Sequence, residues 1–319
     1  MKELESYFQE ITDLRKPENL YKPIGYILQQ GGKRIRPRLV YLATEIFGGD
    51  LAQAQFPAAA FEMLHNFTLI HDDIMDNAPI RRGKETVYKK WNGNIAILSG
   101  DALATMALQQ LLKTPCPDNV KLQMADLFLQ TSLEVCEGQQ YDLDFETSND
   151  VSIEDYLMMI RYKTAVMLSG CLKVGAILAG ATPQEQQQIY DFGIKVGIAF
   201  QLTDDILDLY SDVQKFGKVK GGDIKENKKT FLYLLALQEA DETQETTLKH
   251  YFSSTDFDFE EKLSAVQAIF DQLQVKEKTE TYVEKYVSEA LAIVNGLNIS
   301  QEHKEKLQKI AQEFSRRSK

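Results

Sequence analysis

The sequence predicts an all-α protein, a bundle of long helices. Three observations carry that reading: apolar residues recur at spacings of three and four along nearly every long segment, runs of alternating β-branched residues are missing, and several periodic segments exceed twenty residues. Taken in order, the first helices are expected over 2–13, 18–30 and 36–47, the last following the turn-forming Gly31-Gly32. Gly48-Gly49-Asp50 supplies a stop and a cap before a helix over 53–77, and a further apolar helix follows over 93–113. Thr114-Pro115-Cys116-Pro117, Ser148-Asn149-Asp150 and Ala181-Thr182-Pro183 separate helices over 118–146, 152–180 and 183–212. Helices over 228–240, 258–272, 278–295 and 300–316 complete the chain. No break reads as a flexible linker, so 1–319 is expected to form one domain.

Composition narrows the function. A chain with 44% hydrophobic and 26% charged residues is ordinary globular material, and its net charge of −11 argues against nucleic acid as a partner. Cys116, Cys136 and Cys171 lack CxxC spacing and are odd in number, which points to a reducing compartment and a cytoplasmic protein. The N-terminus has no apolar run of signal-peptide length, and no segment is expected to span a membrane.

One acidic pattern occurs twice, as HDDIMD with Asp72, Asp73 and Asp76, and as TDDILD with Asp204, Asp205 and Asp208. On a helix, residues four apart share a face, so Asp72 stands over Asp76 and Asp204 over Asp208. Like charges at that spacing repel unless cations neutralise them. Oxygen donors without a Cys or His pattern suit Mg²⁺, which completes its octahedron with waters and substrate phosphates. A single such cluster would read as a solvated helix face; two copies with apolar flanks argue otherwise.

Basic residues gather at GGKRIRP, with Lys33 and Arg36, at Arg81-Arg82-Gly83 just beyond Asp76, and at Lys163, Lys218 and Lys228. Carboxylates for metals beside guanidinium and ammonium groups suit a diphosphate, clamped from both sides. No Ser-His-Asp set, nucleophilic Cys arrangement or P-loop is visible. Ionisation of an apolar diphosphate ester needs little more than Mg²⁺ and a dry cavity.

In order, GGKRIRP, LIHDDIMD with RRG following, GDAL, EGQQYDLD, YKTA, GIAFQLTDDILD and GKVKGGDIKENKKT resemble the motif set of the trans-isoprenyl diphosphate synthases, the polyprenyl synthetase family. The match runs from about 31 to 230. The resemblance implies the isoprenoid synthase type I fold, helices around a central cavity, and head-to-tail condensation of isopentenyl diphosphate with an allylic diphosphate. It implies that Asp72, Asp76, Asp204 and Asp208 bind about three Mg²⁺, and that Arg81, Lys163, Lys218 and Lys228 hold the allylic diphosphate. Lys33, Arg36, His65 and Arg82 would hold isopentenyl diphosphate. Thr164 and Gln201 would set oxygen dipoles near the developing cation, and Gln139 and Asp142 would act around the metal waters.

The resemblance implies that chain length is set by Phe67 and Thr68, five and four residues before Asp72. Phe67 with an uninterrupted DDIMD resembles short-chain geranylgeranyl synthases, so a C20 product is favoured, then C15, then longer chains. Helix periodicity sets Phe67 about 140° from Asp72, which leaves core packing as the alternative. His71 is expected to be structural, and Asp101 either a helix cap or a supporting acceptor. A terpene cyclase would not need Lys33, Arg36 and Arg82, and a head-to-head synthase fits GGKRIRP poorly; a non-catalytic partner subunit should have lost one acidic cluster. The resemblance implies a homodimer through long helices; the apolar face of the 93–113 helix would either supply that contact or serve as core.

Overall fold

A computed structural model describes residues 2–13, 15–148, 150–211, 220–253 and 256–315 of the chain. Its contacts divide the chain into two compact units, Met1–Ser132 with Gly170–Gln187, and Leu133–Ser169 with Gln188–Lys319.

The first unit holds α1 (Lys2–Thr12), α2 (Glu18–Leu28), α3 (Ile35–Ile46), α4 (Leu51–Met75), α5 (Val87–Lys90) and α6 (Gly93–Leu112). It also holds the first half of α7 (Asp118–Thr147) and most of α9 (Val166–Leu178). Helix α4 is apolar on nearly all sides and forms the core of this unit, packing against α3 and α6. Its Ala58, Ala59, Ala60, Phe61 and Met63 are fully enclosed, and Phe61 meets the Phe128 ring edge-on at 5.4 Å. Removing a ring such as Phe61 from water contributes about 3 kcal/mol.

Helix α6 is long and apolar enough, by length and composition, to cross a membrane, with a mean hydropathy of 1.4 in its most apolar window. Its Ala96, Leu103, Ala107 and Leu111 are buried, and the helix packs against α4, so this apolar run serves the core of the unit.

A buried Arg34 ties the N-terminal helices together. Its guanidinium donates to Glu5 at 2.8 Å, to Glu62 at 2.6 Å and to the Leu28 carbonyl at 2.5 Å. A buried guanidinium holds only when its donors are met in this way.

The second unit holds the rest of α7, α8 (Ile153–Ile160), α10 (Pro183–Tyr210), α11 (Gly222–Lys225) and α12 (Phe231–Glu239). It continues through α13 (Glu242–Phe252), α14 (Phe259–Gln272), α15 (Val275–Gly296) and α16 (Gln301–Ser315). Helix α12 packs on α8 and α15, and its enclosed Phe231 lies 4.9 Å from the Tyr282 ring.

The helix expected over 152–180 runs without a gap from Ile153 to Leu178 but changes its winding within that span. A five-residue π-turn, Arg161–Ala165, separates α8 from α9. Helix α13 was passed over because its sequence, ETQETTLKHYF, buries only Leu248 and shows little apolar period; an Asp241–Gln244 capping box starts it. A two-stranded hairpin, β1 (Ile80–Arg81) with β2 (Lys84–Glu85), also lies below the length at which periodicity speaks.

Candidate active site

The first acidic motif lies at the end of α4, where a Schellman motif stops the helix. Ala78 donates its N–H to the Asp73 carbonyl and Asn77 to the Ile74 carbonyl, with Asn77 in the left-handed conformation at φ 49°. Asp76 is therefore the capping residue, exposed at the helix end, while Asp72 is half-buried one turn earlier. Asp73 points inward and is fully buried, and the Arg81 Nε donates to its Oδ1 at 2.6 Å. Burial raises the Asp73 carboxyl above its ordinary range, and Arg81 opposes that shift. Its other oxygen, Oδ2, is buried without a hydrogen-bond partner.

The hairpin after α4 aims both arginines. A two-residue turn needs left-handed backbone at its centre, which Arg82 at φ 53° and Gly83 at φ 75° provide. Arg81 thus reaches Asp73, and the Arg82 guanidinium donates to the Gly31 carbonyl at 2.5 Å. At Gly32 any Cβ would lie 3.0 Å from that guanidinium, so the glycine leaves it room.

His65 lies two turns before Asp72 on the same helix. Desolvation, then the positive field of Arg36, Arg82 and Arg81, holds its imidazole well below its ordinary pKa and therefore neutral at neutral pH. Positive charge is thus concentrated around this histidine. Lys33 is exposed just before the start of α3. Phe67 and Thr68 are half-buried on α4; the Thr68 hydroxyl donates to the His65 carbonyl at 2.8 Å.

In the second unit a cavity of about 120 Å³ is lined by Asp142, Tyr156, Lys163, Thr164, Gln201, Asp205, Asp223 and Lys228, among others. The π-turn builds its wall. A Cβ on Gly138 of α7 would lie 2.2 Å from the Lys163 nitrogen, and one on Gly197 of α10 would lie 2.5 Å from the Ala165 Cα, so both neighbours approach through glycines. One turn beyond each glycine stands the partner: Lys163 Nζ donates to Asp142 at 2.5 Å, and the Thr164 hydroxyl donates to Gln201 Oε1 at 3.1 Å.

Here too the middle aspartate is interior. Buried Asp205 accepts from the Tyr156 hydroxyl at 2.5 Å, from Gln201 Nε2 at 3.2 Å and from the Phe231 N–H at 3.4 Å. Burial nevertheless pushes its pKa up to about 7. Asp204 and Asp208 are half-buried, and Asp208 Oδ2 accepts from the Asp223 N–H at 3.0 Å. Burial, then the charges of Asp208 and Asp205, raise Asp223 to about 8. Lys228 pairs with Glu226 at 2.9 Å, while Lys229 donates to the carbonyls of Phe145 and Glu146 at the end of α7 and of Ser148 just beyond it. Lys218 lies outside the described residues.

Among the described residues no three His, Cys, Asp or Glu side chains form a metal cage on their own. The donor set still suits Mg²⁺, which takes one or two carboxylates and leaves its other positions to water and phosphate. Two further observations fit a cation: Asp223, raised first by burial, also sits in the negative field of Asp208 and Asp205, and Gln139 Oε1 is buried without a partner. Sequence reasoning missed Tyr156, Asp223 and Lys229. Asp223 stands inside the quoted GGDIKENKK stretch, but nothing in the spacing shows that it folds back onto Asp208.

The profile described as Polyprenyl synthetase matches residues 17–270. The chain belongs to the polyprenyl synthetase family. This polyprenyl synthetase is 36% identical over 307 residues to the short chain isoprenyl diphosphate synthase of Methanothermobacter thermautotrophicus, covering 92% of this chain and 94% of that one. It is 34% identical to the geranylgeranyl diphosphate synthase of Sulfolobus acidocaldarius, covering 99% and 98%. A crystal structure of a geranylgeranyl pyrophosphate synthase superposes with a TM-score of 0.92 at 43% identity, covering 98% of each chain. The polyprenyl synthetase is thus a prenyltransferase with the all-α isoprenyl synthase fold.

Proposed function

We propose that the enzyme condenses isopentenyl diphosphate head-to-tail with an allylic diphosphate to give a short all-trans prenyl diphosphate, C20 in length. What supports this reading is the Arg82 guanidinium seated on the Gly31 carbonyl, which brings the hairpin to the GGKRIRP turn, together with the field of Arg36, Arg82 and Arg81 that lowers His65; such a cluster suits a second diphosphate, which a cyclase does not need. Both acidic clusters are intact, which favours a catalytic chain over a silent subunit.

Asp72, Asp76, Asp204 and Asp208 are the carboxylates that would hold about three Mg²⁺. Bound there, the metal would draw charge onto the departing diphosphate. Arg81, Lys163, Lys218 and Lys228 hold the allylic diphosphate by charge. Lys33, Arg36, His65 and Arg82 orient isopentenyl diphosphate so that its double bond lies near the reacting carbon. Thr164 and Gln201 direct oxygen dipoles at the positive charge that develops. The released diphosphate takes the proton, and no protein base is assigned. Phe67, with Thr68, closes the space that receives the growing chain.

The relatives named for geranylgeranyl diphosphate support the C20 assignment. Incubation with Mg²⁺, isopentenyl diphosphate and labelled C5, C10 or C15 allylic starters, with products identified by mass, tests it. A C20 product is expected; a cyclised hydrocarbon, or no product at all, would rule the reading out. Asp72→Ala and Asp204→Ala should each lower turnover by orders of magnitude with circular dichroism unchanged.

We also assign the enzyme to a homodimer and to the cytoplasm. Ile97, Leu98 and Leu112 on α6 and Leu122 and Leu129 on α7 are exposed apolar side chains that a second copy would cover, and Cys116 and Cys171 are free thiols. Light scattering on the eluting protein should give twice the 36.3 kDa chain mass.

A further inference from the structure

We infer that His71 sets product length by bracing Phe67, an inference that rests on the proposal that Phe67 closes the chain pocket. Phe67 and His71 are four residues apart on α4 and therefore share a face. Side chains on a helix lean toward its N-terminus, so the imidazole of His71 lies back over the Phe67 ring. Their ring centroids are 4.8 Å apart in an edge-on arrangement. A phenylalanine closes a pocket only if its ring cannot swing aside, and His71 blocks that swing.

His71 is itself held by α6. Its Nε2 lies 3.3 Å from the Ile97 carbonyl and 3.7 Å from the Asp101 carboxylate. The imidazole fills a slot that exists because residue 100 is glycine: a Cβ there would lie 2.3 Å from Nε2. Phe67, His71 and the 97–101 turn of α6 thus form one packed column, in which His71 touches the ring and the neighbouring helix at once. His71 is a positioning residue for product length, and its removal should act only through Phe67.

The test compares product distributions of the wild type, Phe67→Ala, His71→Ala and the double variant, by mass. Phe67→Ala should shift the main product beyond C20, His71→Ala should shift it by at least one five-carbon unit, and the double variant should match Phe67→Ala. Loss of fold lowers turnover without lengthening the product, so length is a readout that general damage does not move. If His71→Ala fails to fold, His71→Gln serves, since it lacks the ring face, and a partial shift is expected. A longer product from Phe67→Ala with no shift from either His71 variant overturns the inference alone, as does a double variant whose product exceeds that of Phe67→Ala. No shift from Phe67→Ala sinks the reading of Phe67 and this inference with it.

Discussion

Tyr156 donates its hydroxyl to the buried carboxylate of Asp205, 2.5 Å away, and Asp205 in turn receives the amide of Gln201. The tyrosine thereby fixes which way Gln201 faces: with Nε2 committed to Asp205, Oε1 is turned toward Thr164. Tyr156→Phe keeps the ring and deletes only the donor. It should cost about 2 kcal/mol of stability in urea denaturation, because a buried carboxylate loses a hydrogen bond. It should also lower kcat about tenfold, equivalent to about 1.4 kcal/mol, while the KM for isopentenyl diphosphate stays near wild type. An unchanged kcat would show that Gln201 is oriented without it.

The raised acids of the second unit predict a pH dependence. Asp205 titrates at about 7 and Asp223 at about 8 in the folded protein, against about 3.9 in the unfolded chain. Between those values the folded state holds protons that the unfolded state has released, so these groups favour folding at low pH and lose that effect as pH rises. Melting temperatures of the metal-free protein and of Asp223→Asn should be compared from pH 5 to 8.5. The wild type should fall relative to the variant as pH increases; a rise would contradict the assignment.

Gly138 admits the π-turn. Gly138→Ala would drive a methyl into the Lys163 backbone nitrogen, and the Lys163 and Asp142 pairing cannot survive that displacement. Turnover should drop about a hundredfold, the usual consequence of misplacing a site by about 1 Å. Gly93→Ala is the control, because nothing lies within 4 Å of its would-be Cβ.

Arg81 and Lys33 should separate in assay. Arg81→Ala leaves Asp73 buried and uncompensated, with an expected loss of about 3 kcal/mol in chemical denaturation. Lys33 is exposed, so Lys33→Ala should leave the melting curve unchanged and raise the KM for isopentenyl diphosphate. Equal melting temperatures for the two variants would refute the difference in burial that separates them.

Much of this was legible in the residues. The long helices announced themselves because one face of each must bury apolar side chains, and the doubled acidic motif named its own chemistry. That Asp73 and Asp205 turn inward while their neighbours stay partly open could not be read from helix phase, which sets each only about 60° from Asp76 or Asp208 and so on the same stripe. The Tyr156 partnership could not be read, because it joins residues 49 apart and depends on how α8 meets α10. Asp223 was hidden for a similar reason, and α13 because only one of its residues is buried.

The extra residue wound into Arg161–Ala165 has an evolutionary corollary. A π-turn takes up one surplus residue while the winding on either side keeps its phase. Deleting one position from Arg161–Ala165 would restore regular winding and carry Lys163 or Thr164 about 100° off the line on which they meet α7 and α10. Side chains in this stretch can be exchanged, whereas its length cannot change without undoing that pairing.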